Sequence, residues 1–183
     1  MSTPAATEPI TGNWKIDTVH SHVGFSIKHM VVATFRGRFE EYEGTLSTAP
    51  DGSERLEGKV RVDSIVVKDE NLSAHLKSPD FFDTANHPEI EFASKAVQVG
   101  EGGVLEVTGD LTIRGNTHEV TARGVLTGPH TDIAGAEKIG VELETVIDRR
   151  DYGLSWNAPL PKGGFALAND VKIEVSLELV KEA

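Results

Sequence analysis

Trp14–Met30, W-K-I-D-T-V-H-S-H-V-G-F-S-I-K-H-M, and its continuation Val31–Gly44, V-V-A-T-F-R-G-R-F-E-E-Y-E-G, decide the fold class. In the first half, Val19, Ser21, Val23, Phe25, Ile27 and His29 fall on one face of an extended chain. His20, His22, Gly24, Ser26 and Lys28 fall on the other. Period-two alternation with an apolar face centred on Val23, Phe25 and Ile27 predicts a β-strand. The second half restarts after a turn-like break and carries Phe39 between Gly37 and Gly44.

The same alternation recurs downstream. Leu56, Gly58, Val60 and Val62 run on into Ile65 and Val67, after the turn signal Asp51-Gly52. Ile90 to Ala96, Leu105 to Ile113, Val120 to Leu126, Ile139 to Ile147 and Val171 to Leu179 follow. Gly102-Gly103 and Gly115-Asn116 mark hairpins among them. The count is eight antiparallel strands with mostly short turns. Two architectures accommodate such a set, a two-sheet sandwich or a closed barrel. Glycines inside strands (Gly58, Gly109, Gly124) favour the strong bending of the barrel, and eight strands are just wide enough to hold one small ligand.

Two segments break the rhythm. Residues 69–84 place Leu72, His75 and Leu76 at helical spacing, with Ser78-Pro79 as a stop, which predicts one or two short helices. Residues 152–169 hold Trp156, Pro159, Pro161 and Phe165, too long a stretch for a hairpin turn and of the kind that forms lids or mouths.

The chain has 183 residues and a net charge of -11, without a basic block, so nucleic acid and anionic surfaces are not expected partners. It contains no cysteine, which excludes disulfides, thiolate nucleophiles and Cys-based metal sites. No apolar run approaches the roughly 20 residues of a membrane span, so no stable membrane insertion is expected. Residues 1–12, rich in Thr, Ala and Pro and without the pattern of a secretory signal, are expected to be a flexible tail preceding a single domain over 13–183. Cytoplasmic localisation is the corresponding expectation.

Catalytic candidates are few. His20 and His22 lie two apart on one strand face and could chelate jointly, but the sequence designates no third ligand. Asp17, His20 and Ser21 have the residue types of a hydrolytic triad, yet a regular strand puts Asp17 and Ser21 on one face and His20 on the other. No catalytic or metal residue is therefore assigned. His29 differs, because it shares the apolar phase of Phe25 and Ile27, and a polar ring facing an interior needs a hydrogen-bond partner, water or a ligand.

Taken together, Trp14-x-Ile16-Asp17-x-x-His20-Ser21-x-Val23-x-Phe25-x-Ile27-x-His29 and Gly37-x-Phe39-x-x-x-x-Gly44 resemble the opening signature of the YceI-like family. Ser64-Ile65, His75-Leu76-x-Ser78-x-Asp80-Phe81-Phe82-Asp83 and His87-Pro88-Glu89-Ile90-x-Phe92-x-Ser94 resemble its middle block. Gly109-x-Leu111-Thr112-Ile113-x-Gly115 and Arg150-x-x-Gly153-Leu154 complete the resemblance. It implies an all-β, lipocalin-like barrel whose apolar tunnel binds a polyisoprenoid, such as the tail of an isoprenoid quinone. It implies no enzyme activity and no cofactor, and members that are often dimers, so a homodimer is an open state for this chain. Many relatives act in the periplasm behind a signal peptide, and the family often has Arg-Asp where this chain has Ser73-Ala74.

Phase and position then assign Phe25, Ile27, Phe39, Phe92, Leu111 and Ile113 to the tunnel lining and His29 to the ligand's head group. Phe81, Phe82 and Trp156 are assigned to a cover over the mouth. Two alternatives stand beside the binding protein: a metal-assisted hydrolase using His20 and His22, and a barrel with a packed interior that serves as an interaction module.

Overall fold

The first strand, β1 (Asn13–His29), runs the length of the molecule and does not keep one phase. Asp17 pairs with Glu178 of the last strand and His22 with Ser176, so three extra residues bulge out of β1 between them. An odd insertion swaps the faces of the strand. Trp14 and Ile16 point inward before it, and Val23, Phe25 and Ile27 after it. Val19, which uninterrupted alternation places on the apolar face, is 83% exposed on the bulge.

The computed structural model describes residues 9–183. After β1 come β2 (Ala33–Phe39), β3 (Tyr42–Thr48), β4 (Glu54–Arg61), β5 (Ile65–Val66), α1 (Glu70–Lys77) and β6 (Glu89–Val99). The chain ends with β7 (Val104–Ile113), β8 (Asn116–Thr131), β9 (Glu137–Asp148) and β10 (Leu167–Lys181). All pairings are antiparallel. Following them from β1 through β10, β9, β8, β7, β6, β4 and β3 leads back to β1, which closes an eight-stranded barrel.

The Val31–Gly44 half thus supplies two strands, because Glu40 and Glu41 turn the chain between β2 and β3. The run from Leu56 to Val67 is likewise cut by a 3-10 turn at Val62–Ser64, which buries Val62. The hairpin between β7 and β8 turns on Arg114-Gly115 rather than Gly115-Asn116. Both residues have positive φ (49° and 72°), as a tight two-residue hairpin requires, and Ile113 pairs directly with Asn116.

β1 pairs with β3 only through Asn13–Lys15 and with β2 through Val23–His29, so the barrel wall forks along β1. At the β3 end the interior is packed solid by Trp14, Leu105, Val107, Ile139 and Leu179, all almost fully buried. The expected N-terminal tail falls mainly on residues 1–8, outside the described residues. Ile10, which that expectation also covered, is buried in this packed end.

One α-helix, within the expected one or two, occupies the 69–84 connection. Its N-terminus is capped by Asp69, whose Oδ1 accepts from the Leu72 N–H at 2.8 Å. Among the described residues no helix is long and apolar enough to cross a membrane.

Candidate functional site

Above the packed end the barrel holds a cavity of about 680 Å³, partly open to solvent at exposed residues such as His29, Met30 and Lys59, with almost wholly apolar walls. Its wall on β7 runs from Val107 to Ile113, about 20 Å at roughly 3.4 Å per residue, so the space is elongated along the barrel. A volume between about 300 and 1,000 Å³ is the range of small-molecule sites. A barrel filled by its own side chains has no such space.

All ten residues assigned from the sequence border this cavity. Phe25 and Ile27 reach it from β1 and Phe39 from β2. Phe92 enters from β6, Leu111 and Ile113 from β7. Phe25 sits at the centre of an aromatic group, with ring centroids 5.9 Å from Phe39, 6.2 Å from Phe35 and 6.4 Å from Phe82. His29 lies where β1 ends, exposed on the rim beside Met30 and Ala33.

Two connections, 69–84 and 149–166 (the expected 152–169 stretch begins earlier, after β9, and ends where β10 starts at Leu167), cover part of the end opposite the packed core. Leu76 of α1 and Phe81 beyond it are buried, and the His75 ring stands edge-on between Phe81 (4.9 Å) and Trp156 (4.8 Å). His75 Nε2 is 3.0 Å from Asp80 Oδ2, which fixes the ring. Arg114, at the β7–β8 turn, joins both segments: its Nη1 donates to the carbonyls of Phe81 and Gly153, each at 2.9 Å. Asn157 anchors the second segment to β10 by donating to the Leu167 carbonyl and accepting the Leu167 N–H.

Arg149 was not singled out in the sequence, yet it is the polar residue buried deepest at this site. It is 4% exposed and borders the cavity. Its Nε donates to the Ala168 carbonyl at 2.8 Å, and its Nη1 to the carbonyls of Leu154 and Trp156. Burial pushes the guanidinium pKa down, with neighbouring Asp148 opposing and Arg150 adding to that shift; arginine is basic enough to stay charged all the same. The available signal was alternation along β9: Ile139, Val141, Leu143, Thr145 and Ile147 face inward, and two further residues reach Arg149.

The bulge in β1 alters the reading of the histidines. Strand geometry separates His20 from Asp17, but the inserted residues bring His20 Nδ1 to 2.9 Å from Asp17 Oδ2 and 3.8 Å from Glu178 Oε1. The hydrogen bond holds Asp17 below its ordinary pKa and raises that of His20. Ser21 is not part of this pair, because its Oγ accepts the Glu178 N–H at 2.9 Å. Ligand atoms of Asp17, His20 and Glu178 lie within 4.8 Å of one another, so a metal at this face would be held by that trio rather than by His20 with His22. Glu178 Oε1 is already paired with Lys138 Nζ at 2.6 Å, and the group stands apart from the cavity lining.

Comparison with known proteins is consistent along the chain. The model of the family described as "YceI-like domain" matches residues 14–179. A UPF0312 protein of Staphylococcus aureus (strain MSSA476) is 34% identical over 172 residues, 91% of this chain and 96% of its own. Among solved structures, Burkholderia cenocepacia BcnA superposes with a TM-score of 0.74 at 21% identity, covering 89% of this chain and 98% of its own. A polyisoprenoid binding domain from Saccharophagus degradans superposes with a TM-score of 0.71 at 15% identity, covering 92% and 98%. At those identities the two structures speak for the fold alone.

Proposed function

The chain belongs to the YceI-like family, and from that premise we propose that it is a non-enzymatic binding protein that holds a polyisoprenoid chain inside its barrel. The observation that carries the reading is the elongated apolar cavity of about 680 Å³, closed at one end by packed core and partly covered at the other by the 69–84 and 149–166 segments. The printed description of the Saccharophagus degradans domain supports the choice of ligand class.

The energetics are adequate. Four prenyl units carry about twenty carbons and contribute roughly 16 kcal/mol gross at about 0.8 kcal/mol per buried carbon. Subtracting about 8 kcal/mol for lost freedom and chain ordering leaves about 8 kcal/mol, a micromolar complex. Discrimination among chains would come from cavity length and width.

Mass spectrometry of the purified protein, native and then after organic extraction, tests this. A bound species near one per chain with a prenyl fragmentation series is the expected result. A clean apo mass, followed by failure of added long-tailed quinones to bind, would overturn the reading.

A further inference from the structure

Arg149 is held more firmly than a surface arginine and is less fully used than a structural one. Its Nε and Nη1 satisfy three main-chain carbonyls and so fasten the covering segment to the barrel. Its second terminal nitrogen, Nη2, makes no hydrogen bond to any described residue, and no carboxylate among them lies within ion-pair range of the guanidinium. Asp148, next in sequence, is taken up by Arg150, which grips it through Nε (3.0 Å) and Nη2 (2.6 Å).

The guanidinium thus has no counter-ion, and Nη2 is not sealed among packed side chains, so water or a ligand oxygen can reach it and complete it. Arg149 continues the inward phase of Leu143, Thr145 and Ile147, and it borders the cavity with them.

We propose that Arg149 is the head-group anchor of the site, with Nη2 donating to an oxygen at the polar end of the bound chain. This rests on the binding-protein reading above and assigns the end of the ligand that the cavity's apolar walls cannot recognise. His29, the sequence's candidate for this role, is exposed on the rim, whereas Arg149 lies beside Leu154 and Trp156 under the cover.

The head group follows from the donors. Arg149 and Lys59 are the only Lys or Arg side chains among the described residues that border the cavity, and Lys59 is exposed and faces Glu89 at 3.6 Å. One guanidinium with one free nitrogen matches one oxygen acceptor, whether a carboxylate or the carbonyl of a quinone. A diphosphate would bring several negative charges to a single cation. The ligand class is therefore a long isoprenoid chain ending in a carboxylate or quinone oxygen.

Tail-matched probes test the assignment: phytane, phytanic acid, a benzoquinone with a four-unit prenyl tail and geranylgeranyl diphosphate, each titrated at pH 7 by tryptophan emission. Phytanic acid and the quinone should bind between about tenfold and a hundredfold more tightly than phytane, the worth of a hydrogen bond from a charged donor. In Arg149→Met that preference should vanish while phytane binding persists, and Arg149→Lys should restore part of the preference for the acid. If wild-type protein binds phytane as tightly as the acid and the quinone, or binds the diphosphate best, the anchor is refuted and the binding-protein reading survives. If none of the four binds, it is that reading which falls. Should Arg149→Met fail to fold, Arg149→Lys decides: its preference for the quinone over phytane should shrink with phytane binding unchanged, and an undiminished preference would refute the anchor.

Discussion

Filling the cavity from its wall separates a binding site from an incidental void. Ala122 is the suitable position. It points inward from β8, opposite Val107 in the β7 pairing, close to the packed end and far from the cover. Ala122→Phe adds six ring carbons to the space, about the bulk of one prenyl unit. A chain that occupies the full depth loses one unit of burial, up to about 4 kcal/mol at roughly 0.8 kcal/mol per carbon, close to a thousandfold in affinity. A two-unit chain that stays near the cover should lose almost nothing.

Fold stability should hold or rise, since the new ring buries apolar surface in space that no side chain fills. Quinones with two-unit and longer tails, titrated by emission of Trp156, provide the assay. Trp14 lies in the packed end and contributes a constant background. Equal weakening of short and long tails at an unchanged melting temperature, or no weakening of either, would refute the tunnel as the site.

Three other perturbations probe the frame around the cavity. Arg114→Ala removes both hydrogen bonds that join the 69–84 segment to the 149–166 segment, and it should cost about 1–3 kcal/mol and speed amide exchange in those two segments ahead of the barrel strands. Gly124→Ala should cost more than about 3 kcal/mol in a denaturant titration, because a Cβ there would meet the Glu142 carbonyl oxygen of the paired strand at 1.8 Å. The grip of Arg150 holds the Asp148 carboxyl down to about 2, below its unfolded value of about 3.9. That contribution to stability is present above pH ~4 and lost as the pH falls towards 2. The melting-temperature gap between wild type and Asp148→Asn should therefore be constant near neutrality and close across that acid window.

What the sequence disclosed and what it hid follow from the same rule of alternation. Phe25, Ile27, Phe92, Leu111 and Ile113 were legible because the shifts in β1 and β6 fall before or after these residues rather than at them, so local parity points each at the interior. Val19 was misplaced and the Asp17–His20 contact missed for one reason. The bulge that opposes β10 between Glu178 and Ser176 has no composition signal of its own, and it is fixed by pairing with a strand more than 150 residues away. The single Val31–Gly44 element became two because the Glu40-Glu41 turn contains neither Gly nor Pro.

Arg149 is the instructive omission. In Asp148-Arg149-Arg150-Asp151 the charges look mutually solvated, and composition treats the two arginines alike. Parity does not. Counted by twos from Ile139, Arg149 is inward and Arg150 outward, and the structure gives them opposite fates: Arg150 neutralises Asp148 at the surface, while Arg149 is buried against three carbonyls. A charged residue on an apolar phase is the informative exception in a barrel, since burying it without a partner is too costly to be incidental. The same reasoning first drew attention to His29, but a strand's last residue can escape to the rim. Arg149 stays inside because the segment that follows it folds back over it, with Leu154 and Trp156 presenting the carbonyls that hold it there.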